Sequence, residues 1–506
     1  MTKGLLTSPV CDIACLFTVK DRVSYTEELI LPDYFPDIER VIFLKSRSAV
    51  SEARAADGEI SVSGLTFLNL CCEDSDGNIK STEFSVPFKK NFPLKKALAN
   101  PIIFCDAQSD SVSYKLISKR RIDVRGAFSL EGRAFDTEEK DILSSSKNSS
   151  IIVKKENIKN LCLSESLNES ISLSDEFILP EDKPKSEQVL DAEISVIPKE
   201  CYLESDNLYL KGIVLMHMLY TPRDDEKRIE SADISLPFDK VWDSFNFREG
   251  AVIKPRLKIL SSSVAKSQEV IKEDGQMLFE GEIGCELIVL QEEDTDFIKD
   301  CFSPSFECEK ADDRICLFTK AKDFQKESEV TGEIPSPADM RETEDTSARI
   351  EEISISDENG KTAFCDVKFN VIFKNAENKL SSLSHTLRCA VPLSESRDKQ
   401  LSLISGYTES VNTSLYNGKL RFSCKIKLQG CLLDTDELTV LTDINLLEDK
   451  PVKRNSDFSM IIYYADNGDD LWSIGKKYKA DPEKIKEENS LKEDDFKNRT
   501  PLIIPL

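Results

Sequence analysis

Histidine is almost missing from this chain: His217 and His385 are the only two in 506 residues. Zinc would then have to lean on thiolates, yet none of the 15 cysteines forms a Cys-x-x-Cys pair with a matching partner. A metal site is therefore not expected, and nothing calls for a cofactor. The nucleophile elbow GxSxG, the phosphate loop GxxxxGK(S/T) and the zinc-protease motif HExxH are absent. Positive charge is short as well. Against 92 Asp and Glu stand 67 Lys and Arg, a formal −25, which argues against nucleic acid because phosphates need clustered cations. Long apolar runs are also lacking: Gly212 to Tyr220, the longest strongly apolar one, is far too short for a membrane span. The N-terminus, MTKGLLTSPVCDIACLF, has no apolar core followed by a small-residue cleavage site, so no secretion signal is expected. Reduced thiols in a cytosol follow from that reading.

What is present is repetition. Leu31-Pro32 opens LPDYFPDIERV, Leu179-Pro180 opens LPEDKPKSEQVL, and Ile334-Pro335 opens a looser IPSPADMRETED. The prolines stand 148 and then 155 residues apart, about one domain length. Val86-Pro87-Phe88, Leu236-Pro237-Phe238 and Val391-Pro392-Leu393 follow them by 55, 57 and 57 residues. Between these landmarks lie the strand-like runs EISVSGLTFLNL, LYLKGIVLMHMLY and FCDVKFNVIFK; Gly64 and Gly212 hold one position and Val367 the third. Each copy carries a later run of the same kind, RIDVRGAFSLEGRAF, GQMLFEGEIGCELIVL and GKLRFSCKIKLQGCLL. Alternation of apolar and polar residues marks half-buried strands. Asp76-Gly77, Glu273-Asp274-Gly275, Asn359-Gly360 and Asn417-Gly418 punctuate them as turns. The expectation is a mainly β chain of three tandem antiparallel β-sandwich-like repeats, spanning 1–146, 147–295 and 296–452. Polar content makes Asp136–Ser150 a linker or exposed loop, Leu290–Asp300 the close of the second repeat, and Leu446–Phe458 a tether.

From Ile461 the period changes. IIYY reads as a short strand and Asn467-Gly468 as a turn. Asp469 or Asp470 then caps a helix whose face is Leu471, Ile474, Gly475 and Tyr478. Asp481-Pro482 starts a second helix running to about Asn489, and PLIIPL supplies a last strand able to pair with IIYY. Residues 456–506 thus form a small α+β (βααβ) module. On helical spacing, Leu471, Trp472, Ile474 and Tyr478 fill its core.

The stretch IYYADNGDDLWSIGKKYKADPEKIKEENSL…TPLIIP resembles the LysM domain in the order and spacing of its landmarks. Asp470 departs from the threonine usual there, and Arg499-Thr500 from the usual glycine and glutamine. The resemblance implies a shallow groove for N-acetylglucosamine-containing glycans such as peptidoglycan or chitin. Carried over by position, its loops are Gly468, Asp469, Asp470 and Leu471 together with Asn489, Ser490 and Leu491. LPDYFPDIERVI with EISVSGLTFLNL and SVPF looks like the SPOCS domain of endospore formers; LPEDKPKSEQVL with ISLPF repeats the match, and the third copy is degenerate. Tandem SPOCS domains followed by one LysM domain resemble a spore coat morphogenesis protein. That family implies a non-enzymatic scaffold in the mother-cell cytoplasm, anchoring coat at the forespore surface by binding the coat's morphogenetic ATPase. Abundant carboxylates admit a hydrolytic pair by count alone, but no segment joins such a pair to a cleft-forming architecture. Glycan and protein both remain open as occupants of the terminal groove.

Overall fold

A computed structural model describes residues 4–94, 101–224, 228–243, 250–266, 275–356, 361–394, 400–452, 460–466, 468–491, 496 and 499–505. Glu273-Asp274, Asn359-Gly360, Asn467 and residues 453–458 of the expected tether lie outside these. The chain is mainly β, with two short helices among the described residues, both late in the sequence. The first strands are β1 (Leu5–Ile30), β2 (Ile38–Ala56), β3 (Glu59–Asp74), β4 (Ile79–Pro93), β5 (Ile102–Ser118) and β6 (Arg121–Ser146). They form a meander, β2-β3-β4, and a second sheet ordered β1-β6-β5.

That order recurs twice. β8 (Ser186–Glu204), β9 (Asn207–Pro222) and β10 (Glu230–Trp242) make a meander. Beside it β12 (Gln276–Phe302) lies between β7 (Ile152–Ile178) and β11 (Val252–Lys266). Next come β13 (Phe306–Pro335), β14 (Met340–Ser356), β15 (Lys361–Asn375), β16 (Leu380–Ser394), β17 (Gln400–Tyr416) and β18 (Lys419–Pro451), with orders β14-β15-β16 and β13-β18-β17. In each stretch the two sheets close on apolar residues, in two clusters in the first and in one each in the second and third. In the second, Leu208, Met216 and Phe238 of the meander meet Leu257, Phe279 and Ile283. Even the bulges correspond. The first meander strand shifts register at Val41/Phe43 and Val50/Glu52, then at Val189/Asp191 and Pro198/Glu200, then at Thr343/Asp345 and Ile350/Glu352.

The proline motifs lie in the crossing between the two sheets. Proline carbonyls accept turn bonds in Phe35→Pro32 (2.9 Å), Lys183→Pro180 (2.9 Å) and Met340→Pro337 (3.1 Å). Leu31, Phe35 and Ile38 are buried beneath the first of these turns. Proline suits this position because it gives up no ladder bond.

Gly64 shows why a glycine is needed on a central strand. A Cβ there would sit 2.0 Å from the Ala49 carbonyl oxygen and 2.6 Å from the ring of Phe88, its cross-strand neighbour. Gly212 repeats the arrangement beneath Phe238. Val367 pairs with Ile350 at the same bulge, and there Leu387 stands opposite in place of a phenylalanine. The third landmark is therefore displaced: Pro392 pairs with Thr362, not next to Val367. Gly64→Ala is expected to cost about 1–3 kcal/mol by overpacking, read as a lowered denaturation midpoint. Gly212→Ala should cost less, since the atom closest to its Cβ is the tip of a side chain.

Six strands are far longer than ordinary ones, from 26 residues in β1 to 33 in β18. Each does two jobs. One half belongs to its own sandwich; the other forms a two-stranded ribbon beyond a register shift at Cys15/Phe17, Val289/Leu290 or Phe318/Lys320. The three ribbons pack on one another: Val10, Ile142, Ile158, Phe297, Ile315 and Val440 come from all six strands and share one cluster. This corrects the linker reading of Asp136–Ser146 and the tether reading of Leu446–Pro451, which belongs to β18. Asp136–Ser146 is strand, with Ile142 and Leu143 buried. The boundary expected at 295/296 falls inside β12, whose pairing with β7 continues to Phe302. Polar residues on the water-facing positions of these ribbons hide the strand pattern.

Candidate functional site

The chain ends in β19 (Met460–Ala465), α1 (Leu471–Tyr478), α2 (Pro482–Glu488) and β20 (Thr500–Pro505), with β19 and β20 antiparallel. Leu471, Ile474, Ile485, Phe496, Leu502 and Ile504 form its core, and Tyr478 and Leu491 pack against it. The helix cap is Asp470, whose carboxylate accepts from Ser473 N (2.9 Å) and Ser473 Oγ (2.6 Å). Burial pushes its carboxyl up, but the bonds from Ser473 outweigh this and hold it below the usual range. Asp469 Oδ2 accepts from Tyr463 OH and Asp466 N, both at 2.9 Å, and so closes the turn from β19.

The seven expected site residues therefore divide. Gly468 is an exposed turn glycine at φ +97°, and Ser490 is exposed at φ +52°. Leu471 is buried in the core cluster, and Leu491, partly buried, packs against it. Asn489 ties α2 to β20: its amide donates to Ile485 O and Ile503 O and accepts from Ile503 N, each at 2.7 Å. Asp469 and Asp470 serve their own loop.

Two features escaped the sequence reading. Trp472 lies outside the module's core cluster and points at the ribbon of β12. Its indole N–H donates to Asp300 Oδ2 (2.9 Å), and its ring meets Phe302 edge-on at 5.2 Å. Lys476 (2.6 Å) and Lys310 also bond Asp300. Burial pushes the Asp300 carboxyl up, yet these donors outweigh it and hold it well below the carboxylate range. The second feature is the outer face of β19, where Met460, Ile462 and Tyr464 alternate and are each more than half exposed. The helices pack on the opposite face; among the described residues Met460 and Ile462 remain exposed, and the guanidinium of Arg499 lies 5.2 Å over the ring of Tyr464.

Trp472→Ala should undock the module without unfolding it, weakening the contact by about 2 kcal/mol. Backbone relaxation in solution is the measurement: residues 460–505 should tumble faster than the ribbons while keeping a dispersed spectrum.

A third assembly lies where the three meanders meet. Lys45 of β2 bonds Asp191 and Glu193 of β8, the latter at 3.2 Å. Glu193 also receives Asn370 Nδ2 (3.1 Å) and faces Arg349 (3.5 Å). Asn69 donates to Asp191 (2.8 Å). His217 bridges Asp233 (2.7 Å) and Asp345 (3.1 Å). By cross-strand register Asn69 and His217 are counterparts, opposite Lys45 and Glu193, and Asn370 lies on the middle strand of the third meander opposite Ser347. Apolar residues from the same three meanders, among them Phe43, Leu219 and Ile372, pack alongside. These charges answer one another, which suits them to holding the sandwiches together. Among the described residues no group of three or more His, Cys, Asp or Glu is placed to hold a metal ion, and no helix is long and apolar enough to cross a membrane.

Compared with models of known families, with curated proteins and with solved structures, the chain matches none.

Proposed function

We propose that the chain is a non-enzymatic scaffold of spore coat assembly, its three sandwiches SPOCS-like domains and its terminal unit a LysM-like module that recruits a protein partner. In this reading the partner is the coat morphogenetic ATPase, and the scaffold works in the mother cell at the forespore surface. The observation that carries protein over glycan is the exposed apolar stripe of Met460, Ile462 and Tyr464 on the outer face of β19. A contiguous apolar face is what a protein interface covers. A second observation points the same way: Asn489, Asp469 and Asp470 are already bonded within the module, which leaves few free polar groups for sugar hydroxyls. Three sandwiches locked through a common charge cluster suit a rigid spacer rather than a hinged enzyme. The alternative occupant, a peptidoglycan or other N-acetylglucosamine glycan, is favoured by the LysM resemblance itself.

Deletion of residues 456–506 tests the reading. The β portion should still be made and folded, while coat recruitment in sporulating cells is lost. Retained recruitment would move the site into the sandwiches.

A further inference from the structure

Six of the 14 described cysteines meet in pairs. Cys365 and Cys389 stand directly opposite each other on β15 and β16. The Cys301 and Cys308 side chains touch across the β12–β13 turn, within one apolar cluster. Cys11 of β1 touches Cys162 of β7, whose sulfur lies 3.0 Å from both Asn160 Nδ2 and Glu293 Oε2. Each pair has the same division of exposure: Cys389, Cys308 and Cys11 are half-buried, while Cys365, Cys301 and Cys162 are buried. One sulfur can meet a small oxidant, and a shielded sulfur waits beside it to resolve the adduct. For Cys365 and Cys389 the opposed strand positions bring the Cβ atoms to a separation that a disulfide spans.

We infer that Cys11–Cys162, Cys301–Cys308 and Cys365–Cys389 are three disulfide-forming pairs that oxidation converts into covalent staples. The first ties the ribbon of the first sandwich to that of the second, the second ties the ribbon of the second to that of the third, and the last lies within the third meander. The oxidant is a small-molecule disulfide. The accessible thiolate attacks one of its sulfurs, forming a mixed disulfide and expelling one small thiolate, which takes up a proton. The buried thiol then gives up its proton and attacks the protein-side sulfur, expelling the second. Per pair, two protein thiols and one small disulfide become one protein disulfide and two small thiols.

The pairs differ in readiness. Cys308 is lowered to about 6 by the hydrogen bond from Cys301, against burial and with Lys310 and Lys479 assisting. Cys11 is also lowered by its thiol partner, but burial and the carboxylates of Glu293 and Asp12 oppose it. The Cys301–Cys308 bond should close first, about tenfold faster than Cys11–Cys162 at neutral pH.

The test incubates the full chain with glutathione disulfide, quenches it in acid, alkylates the remaining thiols and maps the peptides. The expected result is a mass loss of about 2 Da per pair, with peptides joined 11–162, 301–308 and 365–389. Persistent glutathione adducts, full alkylation of all six residues, or a 389–424 link would overturn the assignment, Cys424 being a near neighbour of Cys389. Cys308→Ser and Cys11→Ser, at half-buried positions, should each remove one link and leave the other two. Loss of all three links in a variant that still gives the native spectrum would contradict independent pairs.

Discussion

Replacing Glu193 by alanine should lower the stability of the folded chain by about 1–3 kcal/mol, because it leaves Lys45 with Asp191 alone and Arg349 with Glu351 alone in a shielded site. The side chains of Lys45, Glu193 and Arg349 are 17%, 12% and 21% exposed, so solvent cannot stand in for the lost carboxylate. Burial alone would push the Glu193 carboxyl up; Lys45 and Arg349 outweigh it and hold it well below its ordinary value. Its contribution is thus complete above the unfolded carboxyl's pKa of 4.5 and fades as pH falls below that. Chemical denaturation of the wild type and of Glu193→Ala at pH 7 and pH 3 checks both parts. The gap should be wide at pH 7 and narrower at pH 3. Glu193→Leu combined with Lys45→Met should recover part of the loss, as apolar replacement of a buried ion pair often does. An unchanged midpoint for Glu193→Ala would mean that the meanders do not bury this cluster.

Alkaline pH should weaken the same junction through His217. Burial pushes the imidazolium's pKa down, but hydrogen bonds to Asp233 and Asp345 outweigh it and raise it to about 10. The folded value lies above the unfolded value of 6.5, so the stabilisation is fully present below pH 6.5 and is lost as pH rises towards 10. Asp345 is shielded whereas Asp233 is 87% exposed. Discounted for that exposure, the contribution is about 2 kcal/mol. Glu193 and Arg349 line the same cleft and do not titrate in this window. Wild-type stability should therefore decline between pH 6.5 and 10 more steeply than that of His217→Asn, the two curves converging at the alkaline end. Parallel curves would sink the assignment.

Much of the strand plan was legible, since Val367, Phe369 and Val371 alternate with Lys368 and Asn370 as a pleated, one-sided strand requires. Asp481-Pro482 marked the start of α2 with equal economy, and Gly64 and Gly212 marked positions where the backbone must come close. The ribbons were not legible. There Glu292, Asp294 and Asp296 face water, and with a second row of polar residues they read as a loop, although Phe297 and Ile298 reveal the buried side. The charge cluster was hidden for another reason: Lys45, Glu193, His217, Asp345 and Arg349 are isolated in sequence, and only the packing of three meanders assembles them. In the terminal unit, helical spacing placed Trp472 in the core with Leu471 and Ile474. The helix turns it outward to Phe302 instead, and no single-segment pattern contains that partner. The exposed face of β19 was missed because a strand's open side is known only once its covered side is known.

The most direct test of a protein-recruiting scaffold is a binding titration of the full chain, run separately against the coat morphogenetic ATPase and against peptidoglycan or chitin oligomers. Ile462→Asp and Ser490→Arg, both at exposed positions, serve as surface variants. Saturable binding to the ATPase is expected, weakened at least tenfold by Ile462→Asp, and none to the oligomers. Binding to the oligomers alone, lost in Ser490→Arg and untouched by Ile462→Asp, would contradict a protein-recruiting scaffold and make the terminal unit a glycan reader.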